Sequence, residues 1–216
     1  MTTSTGIQIV EAQPKHAQFI AWVALEAFRS HMERGFWDHL MGGSDESLIR
    51  YLEVLTTTEA THWVHHSIFL VAEVDGQPAS ALSGYFEEEH GGGRLREGMQ
   101  EADAKTGRVT DPERIARAMT IMAVVPDHPG GAWIVEDVAT LPEFRRQGMI
   151  DRLMPEILDR GRARGATTAD ISVFIGNDNA QRAYEKHGFE VVGEKLDAAF
   201  EAVYKTPGIR TLRRPL

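Results

Sequence analysis

The 216-residue chain contains no cysteine, which excludes a disulfide framework and a thiolate metal site and leaves the redox compartment unread. Positive charge is also in short supply. Against 32 Asp and Glu stand 23 Lys and Arg, and the formal net charge of −9 disfavours a nucleic-acid partner, whose phosphates would be repelled. No apolar run approaches the ~20 residues that span a bilayer, and residues 1–6 lack the basic and apolar regions of a secretory leader. The expectation is therefore a cytoplasmic protein with no membrane association. No Walker lysine pattern and no Rossmann glycine fingerprint occurs, which counts against a nucleotide-binding protein of either type. With 42% hydrophobic and 25% charged residues, and no internal repeat or linker, the chain reads as one α/β domain over residues 1–216 with a substantial core.

What the sequence does have is one organising run, Trp133-Ile134-Val135-Glu136-Asp137-Val138-Ala139-Thr140 followed by Leu141-Pro142-Glu143-Phe144-Arg145-Arg146-Gln147-Gly148-Met149-Ile150. It reads as a buried strand, a tight turn and a helix start. Ile150, Leu153, Met154, Ile157 and Leu158 recur at helical spacing, so the first helical turn falls near Gln147 and Gly148. The unpaired N–H groups and the dipole of that turn attract an anion, Arg145 and Arg146 add charge, and Gly148 permits close approach. A phosphate-bearing cofactor fits such a site. Ile150 is expected to be the first core residue of the helix.

Taken in order, residues 7–10 read as a strand, and Pro14 stands at a first helical position ahead of a stripe of Ile20, Val23, Ala24, Ala27 and Phe28. Residues 31–43 are aromatic and irregular, either a packed helix connection or a wall of a substrate pocket. Ser44 caps a helix whose Leu48, Leu52 and Leu55 face inward. Residues 68–74 and 79–85 form an antiparallel hairpin around Asp75-Gly76. Just before them, His62, His65 and His66 could share a helical face, but no carboxylate stands at ligand spacing, so solvated or capping histidines are preferred and no metal is expected.

From residue 87 the sheet pattern stops. Glu87-Glu88-Glu89 and Gly91-Gly92-Gly93 predict a charged, flexible exit, and Asp111-Pro112 begins a helix carrying Ile115, Ala118, Met119, Met122 and Ala123. Residues 86–131 are too long for a simple connection and suggest a helical insertion serving as a substrate lid, or a contact between two copies in a homodimer. Beyond the organising run, Gly165 stops its helix, and residues 169–175 form a strand parallel to the Trp133 strand. Asn177 caps a short helix closed by Gly188, a strand follows from Phe189, Phe200 and Tyr204 suggest a further helix, and residues 208–214 form the last strand.

Two motifs resemble the GNAT superfamily of N-acetyltransferases. Pro142-Glu143-Phe144-Arg145-Arg146-Gln147-Gly148-Met149-Ile150 is similar to that family's pyrophosphate loop. Asn177-Asp178-Asn179-Ala180-Gln181-Arg182-Ala183-Tyr184-Glu185-Lys186-His187-Gly188-Phe189 is similar to its Asn…Ala…Tyr-Glu-Lys…Gly-Phe segment. The resemblance covers residues 132–194 and departs at Ile150, where the family usually has a small residue. It implies a layered α/β (α+β) GNAT-like domain: a mixed central sheet of about six to seven strands flanked by helices, with parallel, splayed strands at the cofactor site.

The resemblance further implies acetyl-CoA as cosubstrate, a primary amine as acceptor, and no metal. Arg145, Arg146, Gln147, Gly148, Met149 and Ile150 should hold the pyrophosphate, with Asp151 next in line. Val138, Ala139 and Thr140 should line the pantetheine arm through their backbone, Asn177 and Ala180 should meet the cofactor from the neighbouring strand end, and Tyr184 matches the usual general acid. The chemistry agrees, since an N–H near Val138 or Ala139 can stabilise the oxygen of an attacked thioester, and a phenol can protonate a departing thiolate. Glu136, a carboxylate in an apolar strand where burial raises its pKa, is the candidate base. Asp137 should point to the opposite face by strand alternation, which makes it the weaker candidate. Net acidity favours a small cationic amine as substrate. The alternative is a catalytically silent CoA-binding module with a regulatory or interaction role.

Overall fold

Asp75 and Gly76 form a two-residue turn with both φ angles positive, at 51° and 79°. That handedness matches the twist of a hairpin, and it sets the register in which Phe69 pairs with Ser83 and Val74 with Gln77. Around this hairpin the computed structural model, which describes residues 6–109 and 111–216, builds one seven-stranded sheet. The strands are β1 (Ile7–Glu11), β2 (Phe69–Val74), β3 (Gln77–Tyr85), β4 (Trp133–Thr140), β5 (Thr168–Phe174), β6 (Glu190–Leu196) and β7 (Gly208–Pro215). Their spatial order is β1-β2-β3-β4-β5-β7-β6. All neighbours are antiparallel except β4 and β5, which are joined by a helix and run parallel.

The helices are α1 (Ala17–Arg29), α2 (Phe36–Met41), α3 (Asp45–Leu55), α4 (Glu87–His90), α5 (Gly92–Thr106), α6 (Pro112–Ala118), α7 (Met149–Ala163), α8 (Asp178–Lys186) and α9 (Ala198–Tyr204). On one face of the sheet, Leu153, Met154, Ile157 and Leu158 of α7 pack against Trp133, Val135 and Ile171. On the other face, Ile20 and Val23 of α1 pack against Ile134, Ala81 and Tyr85. Ser44 caps α3 by accepting the Ser47 N–H, and Asn177 caps α8 by accepting the Ala180 N–H, as their side chains predict.

Several expectations need correction. Residues 87–93 are no flexible exit: the Glu87 side chain accepts the Gly92 N–H, and α5 buries Leu95, Gly98 and Ala102. The glycines start a helix because its opposite end packs, with Tyr51 Oη donating to Asp103 at 2.8 Å. After α6 the chain tightens into a 3-10 turn, Met119–Ala123, whose three-residue period turns Met119 and Met122 outward. Residues 31–43 include α2, whose Phe36, Trp37 and Leu40 are buried in the core. His62 and His65 are buried, not solvated, although His65 does cap the turn after it by accepting the Ser67 N–H. In α7 the first core residue is Met149, while Ile150 is half-buried beside it.

Candidate active site

β4 and β5 part early. Only Trp133, Ile134 and Val135 pair with Ala169, Asp170 and Ile171, so the strands splay from Glu136 onward and the β4 edge through Thr140 has no strand partner on that side among the described residues. A strand edge of this kind offers backbone N–H and C=O groups to an extended ligand. The gap opens toward the turn and the start of α7. There Arg146 and Gly148 both take left-handed φ, 61° and 75°, an alternation that turns backbone N–H groups into an anion-binding concavity. Among the described residues no side chain caps the first N–H groups of α7, and a Cβ at Gly148 would meet nothing closer than 3.8 Å. Arg145 and Arg146 are exposed, and neither forms an ion pair among the described residues; Arg145 Nε donates to Thr140 O at 3.2 Å. Gln147 braces the turn by donating to Glu143 O at 2.7 Å. These features suit a pyrophosphate followed by an amide-bearing arm.

Asp151, next in line, links two helices. Its carboxylate takes Lys186 at 2.7 Å and His187 at 3.1 Å, tying α7 to α8, and the Lys186 hydrogen bond holds its pKa below the ordinary value. The polar atoms of Asn177 are likewise committed, accepting from Ala180 N at 3.1 Å and donating to Ser30 Oγ at 2.7 Å. Ala180 and Tyr184 lie on the face of α8 that packs with the α7 core. Tyr184 is buried, which raises its phenol above the usual value, and its hydroxyl makes no hydrogen bond among the described residues.

Glu136 and Asp137 stand where the splay begins, at a β-bulge. Ser83 pairs with Glu136 and Ala81 with Ala139, so β4 carries one residue more than β3 across this stretch, and Asp137 absorbs it with φ of 51°. Strand alternation is interrupted there, which removes the reason for assigning Asp137 to the opposite face. Its carboxylate is only 5% exposed and neither oxygen has a hydrogen-bond partner among the described residues. Burial, then the neighbouring Glu136, pushes its pKa well up. Glu136 is raised by burial too, against the hydrogen bond from Tyr85 Oη to its Oε2 at 2.6 Å.

Sequence reasoning missed Tyr85, which donates to Glu136, and the linked group His128, Asp170 and Arg213 at the paired end of β4 and β5. Asp170, a charge within apolar β5, gave the same signal as Glu136 and could have been found. A separate groove of about 850 Å³ between α3 and the end of α5, lined in part by Tyr51, Val54 and Arg108, shares no residue with the site.

The Acetyltransferase (GNAT) family matches residues 36–189. No curated protein matches the chain. Among solved structures, an acetyltransferase superposes with a TM-score of 0.71 at 19% identity, covering 96% of this chain and 98% of that one. An acetyltransferase from Salmonella typhimurium, solved with its cofactor acetyl-CoA, gives 0.55 at 13% identity over 98% and 94%. The polyamine N-acetyltransferase of Drosophila melanogaster, which forms N-acetylagmatine, gives 0.54 at 14% identity over 98% and 100%. At these identities the superpositions speak to the fold. The family match spans most of the sheet, from α2 through the splayed strands and α8, and it makes this chain a member of the GNAT family of acetyltransferases, enzymes that use acetyl-CoA.

Proposed function

We propose that this enzyme transfers the acetyl group of acetyl-CoA directly to a primary amine of a small, cationic molecule. The observation that carries this reading is the pair of consecutive carboxyl groups at the β4 bulge, Glu136 and Asp137, without a cationic partner among the described residues. Buried carboxyls without a counter-ion are costly, and an ammonium or guanidinium group would relieve that cost. The Drosophila enzyme that forms N-acetylagmatine offers a parallel in substrate charge.

In this reading the turn from Arg145 to Gly148 and the first N–H groups of α7, at Met149 and Ile150, hold the pyrophosphate, while the β4 edge at Val138, Ala139 and Thr140 aligns the pantetheine arm. Glu136 takes a proton from the incoming ammonium, and the freed amine attacks the thioester carbonyl. A β4 N–H near Val138 or Ala139 receives the charge developing on the carbonyl oxygen. Tyr184 donates its proton to the departing sulfur. Burial weakens the phenol as an acid, but the same dry surroundings strengthen the thiolate as a base, so the transfer stays matched. Segment 125–131, at the end of the helical insertion, closes one side of the acceptor site.

The test is release of CoA from acetyl-CoA, read with a thiol reagent that finds no cysteine on the protein itself. Agmatine and spermidine should support turnover, and uncharged or acidic amines should not. Acetyl-CoA binding with no turnover on any amine would instead identify a silent CoA-binding module.

A further inference from the structure

The loop before β4 carries a histidine for which acetyl transfer as described has no use. His128 Nδ1 lies 2.8 Å from Asp170 Oδ2. Asp170 is fully buried on β5, and Arg213 of β7 clamps it through Nε on Oδ1 at 2.6 Å and Nη2 on Oδ2 at 2.8 Å. An ionised carboxylate only accepts, so His128 Nδ1 carries the proton and the neutral ring presents Nε2 as its basic nitrogen. Nε2 has no hydrogen-bond partner among the described residues.

This is a fastened loop. Lys195 of β6 donates to Val125 O at 2.8 Å and pairs with Asp127 at 2.8 Å, while Glu88 of α4 accepts the Gly131 N–H at 3.1 Å. The ring is thus held over Asp170, which pairs across the sheet with Ile134. Glu136 stands two residues beyond Ile134 on the same face of β4, about 7 Å along the strand. The charge of a protonated His128 reaches Glu136 and lowers its pKa.

We propose that His128 is the proton outlet of the active site, receiving through Glu136 the proton that the acceptor ammonium gives up. This rests on the reading of Glu136 as the base. The N–H bond of the ammonium breaks as an O–H bond forms on Glu136. That O–H bond then breaks as the proton passes along a short chain of waters and an N–H bond forms at His128 Nε2, and Glu136 returns to the carboxylate. The imidazolium, with its side chain 12% exposed, delivers the proton to solvent. His128 acts through Glu136 and not on the substrate. The charged groups beside the ring are Asp170, held by Arg213, and Asp127, paired with Lys195, while Glu87 acts on Glu136 from α4.

The deciding variant is His128→Asn, whose amide can keep the hydrogen bond to Asp170 but cannot take up a proton. With agmatine or spermidine as acceptor, kcat should fall at least about tenfold, the acid limb of its pH profile should change, and added imidazole should restore part of the rate. KM for acetyl-CoA should stay unchanged. Wild-type kcat and pH profile in His128→Asn would overturn the proposal. A second measurement needs no acceptor and serves if the variant folds poorly: nitrogen NMR titration of His128 in the acetyl-CoA complex, repeated in Glu136→Gln. Loss of the Glu136 charge should move the His128 titration to lower pH. An unmoved titration overturns the coupling, whereas failure of every amine to turn over would count against the acceptor reading alone.

Discussion

Tyr85 Oη donates to Glu136 Oε2 across 2.6 Å, joining the last residue of β3 to the candidate base at the β4 bulge. Burial holds Tyr85 well above the usual phenol range, so it remains a donor at any working pH, and its hydrogen bond opposes the upward pull of burial on Glu136. Tyr85→Phe removes a donor that favours the charged form, which raises the Glu136 pKa further. The acid limb of kcat/KM should move up by about one pH unit, with the rate recovering toward wild type at alkaline pH. A limb that stays in place would show that Glu136 is not the titrating base.

Tyr184→Phe tests the opposite end of the reaction. Because the Tyr184 hydroxyl makes no hydrogen bond among the described residues, its removal leaves no partner stranded, and the packing of the ring in the α7 core is retained. Acetyl-CoA affinity measured by calorimetry should therefore hold. Loss of a proton donor should lower kcat by roughly 10²-fold or more. Full activity across the pH range would remove Tyr184 from the mechanism.

Arg145→Ala and Arg146→Ala should each weaken acetyl-CoA binding by roughly three- to tenfold, a small effect because both side chains are exposed and screened. The same variants should flatten the dependence of Kd on salt. Backbone N–H groups at the start of α7 remain in both variants, so binding should persist. Complete loss of binding in either single variant would mean that the arginine side chains, not the backbone, hold the phosphates.

The unit β4, turn and α7 was legible in the sequence because each part carries its own local signal: an apolar run, an Arg-Arg pair with Gly148, and a 3.6-residue stripe. The α4–α5 segment was hidden because Gly91, Gly92 and Gly93 argue for flexibility, and only its packing against α3 overrides them. The face taken by Asp137 could not be read, since a bulge depends on the register with β3 and leaves no mark in β4 itself. His128 sits in irregular chain, and the partner that gives it meaning is 42 residues away.

Trp133 lies between two glycines, and this contact sets how closely α7 approaches the sheet. A Cβ on Gly84 would come within 2.7 Å of the indole and of Ile157 Cγ1, and one on Gly161 within 2.7 Å of Trp133 Cγ. Both neighbours are buried, so neither can move aside cheaply. Gly84→Ala should destabilise by about 1–3 kcal/mol, lowering Tm by several degrees. Gly161→Ala should cost less, because Ala gains about 1 kcal/mol over Gly inside a helix. Equal or greater stability of Gly84→Ala in a thermal melt would contradict the packing described.

His62 and His65 make the fold acid-sensitive. Each Nδ1 accepts a backbone N–H, from Val64 at 3.2 Å and from Ser67 at 3.2 Å, so protonation there must break a hydrogen bond as well as charge a buried ring. The two ring centroids are 6.2 Å apart. Burial, followed by the charge of a neighbouring histidine, lowers both pKa values to about 4. In the unfolded chain the rings titrate near 6.5. Below that value the unfolded state binds protons first, so stability should be full above pH ~6.5 and decline until pH ~4, at about 1.4 kcal/mol per pH unit for each ring. Urea unfolding at a series of pH values measures the slope. His62→Asn keeps an acceptor for the Val64 N–H, and whatever it does to absolute stability, it should remove one ring's share of that slope. An unchanged slope would show that His62 is not among the groups responsible.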